Sequence, residues 1–260
     1  MPNYLSLTLG ELAEVRQAPV ENCKHLLCIE KSASRGLRIL PGPVSNRVDP
    51  SACQGLWLLP GPQCGDAPGL YHPLYLAAVL SSQSALRNIP CDEHYIKKCE
   101  IPVIAFGTPE ETRRSMTLNG MRMTTEWIQT GSQRVLQLVS NRIEAGQRDV
   151  AHDVLVYLMS RILDVRAEES EARALRAEAI AAYLGLEQAR VEPLFRSRLA
   201  ASNIARQIQG GVAGPVRRTI EIEPLIASQI ALLRPQLAAL KAREKHLMQP
   251  LDEIVEMLFA

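Results

Sequence analysis

Apolar residues follow two different patterns along the chain. Before about residue 110 they form short runs separated by proline- and glycine-rich turns, a pattern typical of strands. The runs that we predict as strands cover residues 4–9, 25–29, 37–40, 56–59 and 101–106. Short helices are predicted over 10–16 and 74–86. This first part is therefore expected to mix α and β structure.

From about Trp127 onward the apolar residues recur every three or four positions, which is typical of amphipathic helices. Two such stripes come first, comprising Val135, Leu138, Val139 and Ile143, then Val150, Val154, Leu158 and Ile162. Residues 167–184 are rich in Ala, Glu and Arg and carry oppositely charged pairs four apart. We predict an exposed helix there.

The last segment has apolar residues at alternating steps of four and three, which is a heptad seam. It runs from Ile226 to Leu258 with Glu244 as its one charged member. Pro235 and Pro250 predict either two shorter helices or one kinked helix. The seam either contacts a second copy of the chain or packs on the preceding helices. Its assembly residues are Ile230, Leu233, Leu237, Leu240, Leu247, Leu251 and Ile254.

Together these patterns predict an α+β protein with two domains. A mixed α/β domain is expected over residues 1–128, followed by an all-helical scaffold over 129–260. The chain has 260 residues, of which 47% are apolar and 22% charged. That composition is typical of a globular protein with a sizeable core.

The charge, the apolar runs and the cysteine content bear on the partners of the chain and on its cellular compartment. The net charge is only +1, so bulk electrostatics gives no argument for a polyanionic partner. The longest uncharged run is broken by Pro68, Gly69 and Pro73 and is too short in apolar residues to span a bilayer. The first residues lack the pattern of a signal peptide. We therefore expect a cytoplasmic chain without membrane contact, with its six cysteines as thiols.

Common catalytic motifs do not occur in the sequence. It has no glycine-rich dinucleotide or phosphate loop, no Gly-x-Ser-x-Gly and no His-Glu-x-x-His. An enzyme is thus disfavoured and no cofactor is expected. His152-Asp153 resembles an acid–base pair, but no nucleophile accompanies it. We interpret it as part of a helix surface.

Cysteine and histidine cluster twice, at Cys23-His25-Cys28 and at Cys91-His94-Cys99. Thiolates and imidazoles are ligands in structural zinc sites, but neither spacing is a standard one. Free cysteine behaves as a small buried apolar residue. We favour core thiols, with a metal-bound enzyme as a weaker alternative.

One ordered set of segments carries a family resemblance. Residues 9–16 read Leu-Gly-Glu-Leu-Ala-Glu-Val-Arg, residues 73–82 contain Pro-Leu-Tyr-Leu-Ala-Ala-Val-Leu-Ser-Ser, and residues 95–103 contain Tyr-Ile-Lys-Lys-Cys-Glu-Ile-Pro-Val, with Pro-Glu-Glu at 109–111. This order resembles one target-recognition domain of a type I restriction-modification DNA specificity subunit. The closing residues 251–259 are similar to the final helix of that family.

The sequence also departs from the family pattern. Ser82 stands where Asn-Ser is usual, and Thr112 stands where Gln follows the Glu. The second proline of the strand motif is displaced to Pro109. The chain carries one recognition-like half, whereas full-length members carry two.

The resemblance implies a non-catalytic subunit that recognises a duplex DNA sequence and directs a partner methyltransferase or nuclease. A chain with one recognition half would restore two-fold symmetry as a homodimer. Between Glu30 and Asp49 the sequence has four basic residues and no acidic one. The expected DNA-binding residues are Lys31, Ser32, Arg35, Arg38, Asn46 and Arg47, with Lys97 and Lys98 where the family has a basic segment. The alternative is a structural adaptor that acts only through helical protein–protein contacts.

Overall fold

The structure is a computed structural model that describes residues 6–17, 27–32, 36–41, 55–60, 73–82, 93–102, 132–144, 149–197, 200–211 and 219–260. Within these ranges it is mostly helical, with six short strands. The elements in chain order are β1 Ser6–Thr8, α1 Leu9–Leu12, β2 Ala13–Arg16, β3 Leu27–Ser32, β4 Gly36–Pro41, β5 Gly55–Pro60, α2 Pro73–Ser81, α3 Glu93–Lys97, β6 Glu100–Pro102, α4 Ser132–Glu144, α5 Asp149–Leu184, α6 Gln188–Val191, α7 Leu194–Ser197, α8 Ala201–Gly211 and α9 Thr219–Phe259.

The strands form two antiparallel sheets. β1 pairs with β6, and the other four strands are ordered β2-β5-β3-β4. Strands thus occur at each predicted run, as far as those runs are described. The predicted helix over 10–16 is wrong in its second half, because α1 ends at Leu12 and β2 follows. Burial alternates along β2, with Ala13 and Val15 buried and Glu14 and Arg16 exposed, which is the period of a strand.

The helical part contains two long helices, α5 and α9; α5 is longer than the separate segments predicted there, and α9 is a single helix where either two shorter helices or one kinked helix was predicted. α5 joins the second stripe to the charged segment in one helix, and the prediction that 167–184 is simply exposed is wrong. Ala172, Ala177 and Ile180 lie in a core. α9 continues through Pro235 and Pro250. Pro235 is exposed, so water can bind the carbonyl that loses its helical donor.

The chain divides into two compact units. Unit 1 comprises Met1–Asp164 and Lys245–Ala260, and unit 2 comprises Val165–Glu244. The core of unit 1 combines residues from α1, β2, α2, α3, β6, α4, the first half of α5 and the end of α9. The core of unit 2 combines the second half of α5 with α6, α7, α8 and α9. The boundary predicted at residue 128 lies outside the described residues.

The heptad seam is buried by contacts within the chain. Six of the seven assembly residues are buried and Leu247 is half-buried. Ile230, Leu233 and Leu237 belong to the core of unit 2, whereas Leu251 and Ile254 belong to the core of unit 1. These side chains therefore offer no exposed apolar stripe to a second copy, and the packing is that of the intramolecular alternative.

Candidate functional site

Two of the segments that carry the family resemblance meet in unit 1. Leu7 pairs with Ile101 at the centre of the β1–β6 ladder. One step further along, the N–H of Leu9 donates to the carbonyl of Cys99 at 2.8 Å. We call this contact, formed by residues 6–11 and 97–102, the motif junction.

Gly10 fits the motif junction because it has no side chain. A Cβ at this position would lie 3.3 Å from the carbonyl oxygen of Lys97 and 3.4 Å from the Cβ of Lys97. Such distances are tight for a methyl group packed against backbone. Glycine therefore lets α1 lie directly against the end of α3.

Glu11 fixes the start of α1. The backbone N–H of Thr8 donates to its Oε2 at 2.7 Å, and the Thr8 hydroxyl donates to the same oxygen at 2.8 Å. The backbone bond, with the hydroxyl second, lowers the pKa of Glu11 below its ordinary value. Leu9 is fully buried. Each residue of the Leu-Gly-Glu segment thus has a structural task at the motif junction.

The second segment, residues 73–82, reaches the junction through Tyr75 of α2. Tyr75 is fully buried and its hydroxyl donates to the carbonyl of Pro102 at 2.6 Å. Burial raises its pKa, so the hydroxyl stays protonated and remains a donor. The segments at 9–16, 73–82 and 95–102 are therefore held together by backbone pairing and one buried hydrogen bond, whereas the Pro-Glu-Glu at 109–111 lies outside the described residues.

His152 and Asp153 of α5 lie in the same core, and the prediction of a helix-surface pair is wrong. Their exposed fractions are 0% and 3%, and His152 Nδ1 lies 3.2 Å from Asp153 Oδ1. The imidazole is stacked at a tilt on the Tyr75 ring, with 4.9 Å between ring centroids. Groups buried this deeply meet no substrate from solvent without movement of the core. The arrangement suits a polar contact inside the core.

The structure describes only some of the DNA-binding residues that were predicted between positions 31 and 47. Arg35, Asn46 and Arg47 lie outside the described residues. Lys31 and Ser32 lie on β3 and Arg38 lies on β4. The register pairs Lys31 with Leu37 but Arg38 with Glu30. Positions 31 and 38 therefore alternate between the faces of the sheet, and an acidic residue is the cross-strand partner of Arg38.

Lys97 and Lys98 lie at the motif junction, at the end of α3. Lys98 is exposed, and its Nζ lies 2.9 Å from Nε2 of His94. Lys97 is half-buried beside Gly10. Sequence reasoning named both lysines but gave no sign that the Leu-Gly-Glu segment positions them.

Arg16 of β2 adds a third basic group near these lysines. Its Nε donates to Glu14 Oε1 at 2.7 Å, and both side chains are about half exposed. The pKa of Glu14 is lowered chiefly by this hydrogen bond and further by the charges of Arg16 and Lys97. A phosphate bound here would compete with Glu14 for Arg16 and Lys97.

The proposed cysteine clusters are described only in part. Cys99 is a buried free thiol whose pKa burial raises to about 11, so it is protonated at neutral pH. Cys23, His25 and Cys91 lie outside the described residues, and Cys28 is on β3. Among the residues that the structure describes, no three His, Cys, Asp or Glu side chains are grouped as metal ligands would be.

Unit 2 contains charged contacts that the sequence did not reveal. Arg166 Nε donates to Glu244 Oε1 at 2.8 Å, with both side chains largely buried. Beside this pair, Arg243 and Glu168 form an exposed contact of 2.7 Å. Glu244, the charged residue in the heptad seam, was the sequence signal for this buried pair. Its partner Arg166 lies 78 positions away, so the sequence did not identify it.

No protein-family model, curated protein or solved structure matches this chain. None of the helices in the described ranges has the length and apolar character that a bilayer crossing requires.

Proposed function

We propose that this chain is a non-catalytic DNA-recognition subunit, whose mixed α/β N-terminal domain reads a duplex sequence. It would direct a methyltransferase or nuclease carried on partner chains. The proposal accords with the family resemblance of the sequence and with the geometry of unit 1. It takes the chain to act in the cytoplasm.

The observation that carries the proposal is the contact between the first and third motif segments. Gly10 lies against Lys97, and the β1–β6 ladder holds the end of α3 in place. An exposed lysine, Lys98, follows directly at the end of this helix. A rigid support beneath basic side chains is what a DNA-reading surface requires, because phosphate contacts fix the register in which bases are read.

The width of the proposed interface can be estimated from the four-stranded sheet. Arg16 lies on β2 at one edge, whereas Arg38 lies on β4 at the other. Three strand spacings give a width of about 14 Å, which corresponds to roughly four base pairs of duplex. Arg35, Asn46 and Arg47, which lie outside the described residues, belong to the proposal through the family resemblance alone.

The test measures duplex binding as a function of salt. We expect the wild-type affinity to fall steeply as salt rises, because bound lysines and arginines release counterions from the phosphates. Replacing Arg35, Arg38 and Arg47 with Gln should weaken binding and flatten the salt slope by up to about three. The matched control replaces Arg142, Arg161 and Lys245, three exposed basic residues on helices of unit 1, with Gln.

Equal effects of the two triple variants would overturn the assignment of Arg35, Arg38 and Arg47 as DNA-binding residues. If the wild-type chain binds no duplex even at low salt, the DNA proposal fails. The structural adaptor then replaces it, acting through protein contacts alone. Proteins retained by the chain from its native cells would then identify what it assembles.

A further inference from the structure

In unit 2, the second half of α5 and the two short helices after it follow the order helix, turn, helix. α5 ends at Leu184, residues 185–187 form the turn, and α6 begins at Gln188. The chain stays helical beyond α6, because Glu192 has right-handed angles (φ −55°, ψ −46°) and leads into α7. We call residues 188–197 the second helix. Two helices joined by a turn of three or four residues form a helix-turn-helix.

The turn between the two helices is fixed by a glycine. Gly185 has a φ of 66°, in the left-handed region that favours glycine. Its N–H donates to the carbonyl of Ala182 at 3.4 Å, and the N–H of Leu186 donates to the carbonyl of Ala181 at 2.9 Å. These two bonds form a Schellman motif. Because Leu186 also packs against the core of unit 2, the chain leaves α5 in one defined direction.

The second helix is held in place on its buried side. Val191 and Phe195, four residues apart, are fully buried in the same core as Ile180 of α5. Arg173 of α5 donates through Nη1 to the carbonyl of Phe195. The same guanidinium donates through Nη2 to Oε1 of Glu169 at 2.8 Å, and both side chains are largely buried. Core packing and Arg173 therefore position the second helix.

The exposed side of the second helix carries side chains that can read DNA. Gln188, Ala189 and Arg190 are all exposed. In the major groove, glutamine forms two hydrogen bonds with adenine, arginine forms two with guanine, and alanine contacts the thymine methyl group. Tyr183, just before the turn, is 65% exposed, and tyrosine hydroxyls often donate to phosphates.

The charge of the segment after α6 suits a polyanion. Residues 193–220 contain five arginines and no acidic residue, whereas the rest of unit 2 has seven basic and nine acidic residues. Arg206 of this segment is exposed on α8. Of the two acidic residues beside the turn, Glu192 already has an interaction in its own chain. Glu187 is exposed, and a glutamate can accept a hydrogen bond from cytosine N4.

We propose that the helix-turn-helix of unit 2 binds duplex DNA, with Gln188 and Arg190 of its second helix reading base edges in the major groove. Motifs of this kind place their second helix in that groove. The basic segment that follows supplies phosphate contacts. This site is separate from the basic residues assigned to DNA in unit 1, and the inference does not rest on them.

The test uses the full chain to select duplexes from a pool of random sequence. Affinity is then measured for a selected duplex and for an unrelated one. Gln188→Ala/Arg190→Ala should weaken binding to the selected duplex roughly tenfold or more and should affect the unrelated duplex much less, because base contacts are lost while phosphate contacts remain. The matched control is Arg234→Ala/Gln236→Ala, which removes the same residue types from exposed positions of α9 in the same unit.

Equal effects of the two double variants overturn the proposal, as does a wild-type chain that selects no duplex. The triple variant of Arg35, Arg38 and Arg47 is measured on the same duplexes to separate the two sites. Weaker selective binding in the unit 2 variant alone supports the helix-turn-helix and removes support from the unit 1 residues. Weaker binding in the unit 1 variant alone overturns the helix-turn-helix as a DNA site and leaves the proposal for unit 1 standing.

Discussion

The contacts that hold unit 1 together internally differ in kind from those within unit 2. In unit 1, backbone ladders and one buried hydrogen bond join segments that are far apart in sequence, such as Tyr75 and Pro102. In unit 2, charged side chains join two long helices, with Arg166 contacting Glu244 and Glu168 contacting Arg243. Backbone pairing fixes register in the first case, and a buried ion pair can do so in the second. The units should therefore differ in which substitutions they tolerate.

The largest expected effect is at the buried ion pair of unit 2. Glu244→Ala should destabilise this unit by about 3–5 kcal/mol, because the buried Arg166 guanidinium loses the carboxylate that accepts its Nε hydrogen bond. Hydrogen exchange resolved by segment measures the effect, and protection should fall most in residues 165–244.

The double variant Arg166→Leu/Glu244→Leu removes both charges. It therefore measures the net contribution of the ion pair to stability, whereas Glu244→Ala also includes the cost of removing only one of the two partners. We expect it to be close to the wild type in stability, since well-packed apolar side chains often replace a buried pair without loss. If the double variant is as unstable as Glu244→Ala, the ion pair contributes net stability. Unit 2 then depends on charged side chains for its stability and not only for the register of its helices.

A smaller effect is expected at Tyr75 in unit 1. Tyr75→Phe keeps the ring in the core but removes the donor to the carbonyl of Pro102, at a cost of about 1–3 kcal/mol. Both tryptophans, Trp57 and Trp127, belong to unit 1. The midpoint of chemical unfolding, followed by tryptophan fluorescence, should therefore fall as the free energy of unfolding of this unit decreases. Tyr183→Phe is the control, because Tyr183 is 65% exposed. Equal midpoints for the two variants would contradict a role for the buried hydroxyl.

The smallest effect is expected at Glu11 and depends on pH. Its pKa in the folded chain is lowered from 4.5, chiefly by the backbone N–H of Thr8. Its contribution to stability is therefore present above the unfolded-state pKa and is lost as pH falls through the lower folded-state pKa. The stability difference between the wild type and Glu11→Gln should be constant near neutral pH and shrink in acid. A difference that does not change with pH would mean that the ionised carboxylate has no such role.

The two units also differ in how much of their structure the sequence predicts. The seam of α9 follows from periodicity alone, because a helix repeats its contacts every three or four residues. Pro235 and Pro250 left two alternatives open, two shorter helices or one kinked helix, and periodicity could not decide between them, since a proline can lie inside a helix that tertiary packing stabilises. Glu244 was recognised as an exception, but no local signal identifies Arg166 as its partner.

In unit 1 the strands other than β2 were predicted, β2 was predicted as helix, and the pairing of the strands was not predicted. The β1–β6 ladder joins residues that are 92 to 96 positions apart, from Thr8 with Glu100 to Ser6 with Pro102, and periodicity carries no information about such contacts. The same holds for the candidate site, because its contacts also join segments that are distant in sequence. Lys97 and Lys98 could be named as basic residues, whereas the contact of Gly10 with Lys97 depends on the pairing of distant segments.

The end of α9 has a practical consequence for preparing unit 1 by itself. Its core includes Leu251, Ile254, Val255 and Leu258, which are fully or almost fully buried. A fragment that stops at residue 164 lacks these side chains, each worth roughly 1.5–3 kcal/mol when buried, and would leave an apolar cleft open to solvent. A shortened version for crystallisation or screening should instead fuse residues 245–260 behind residue 164 through a flexible linker.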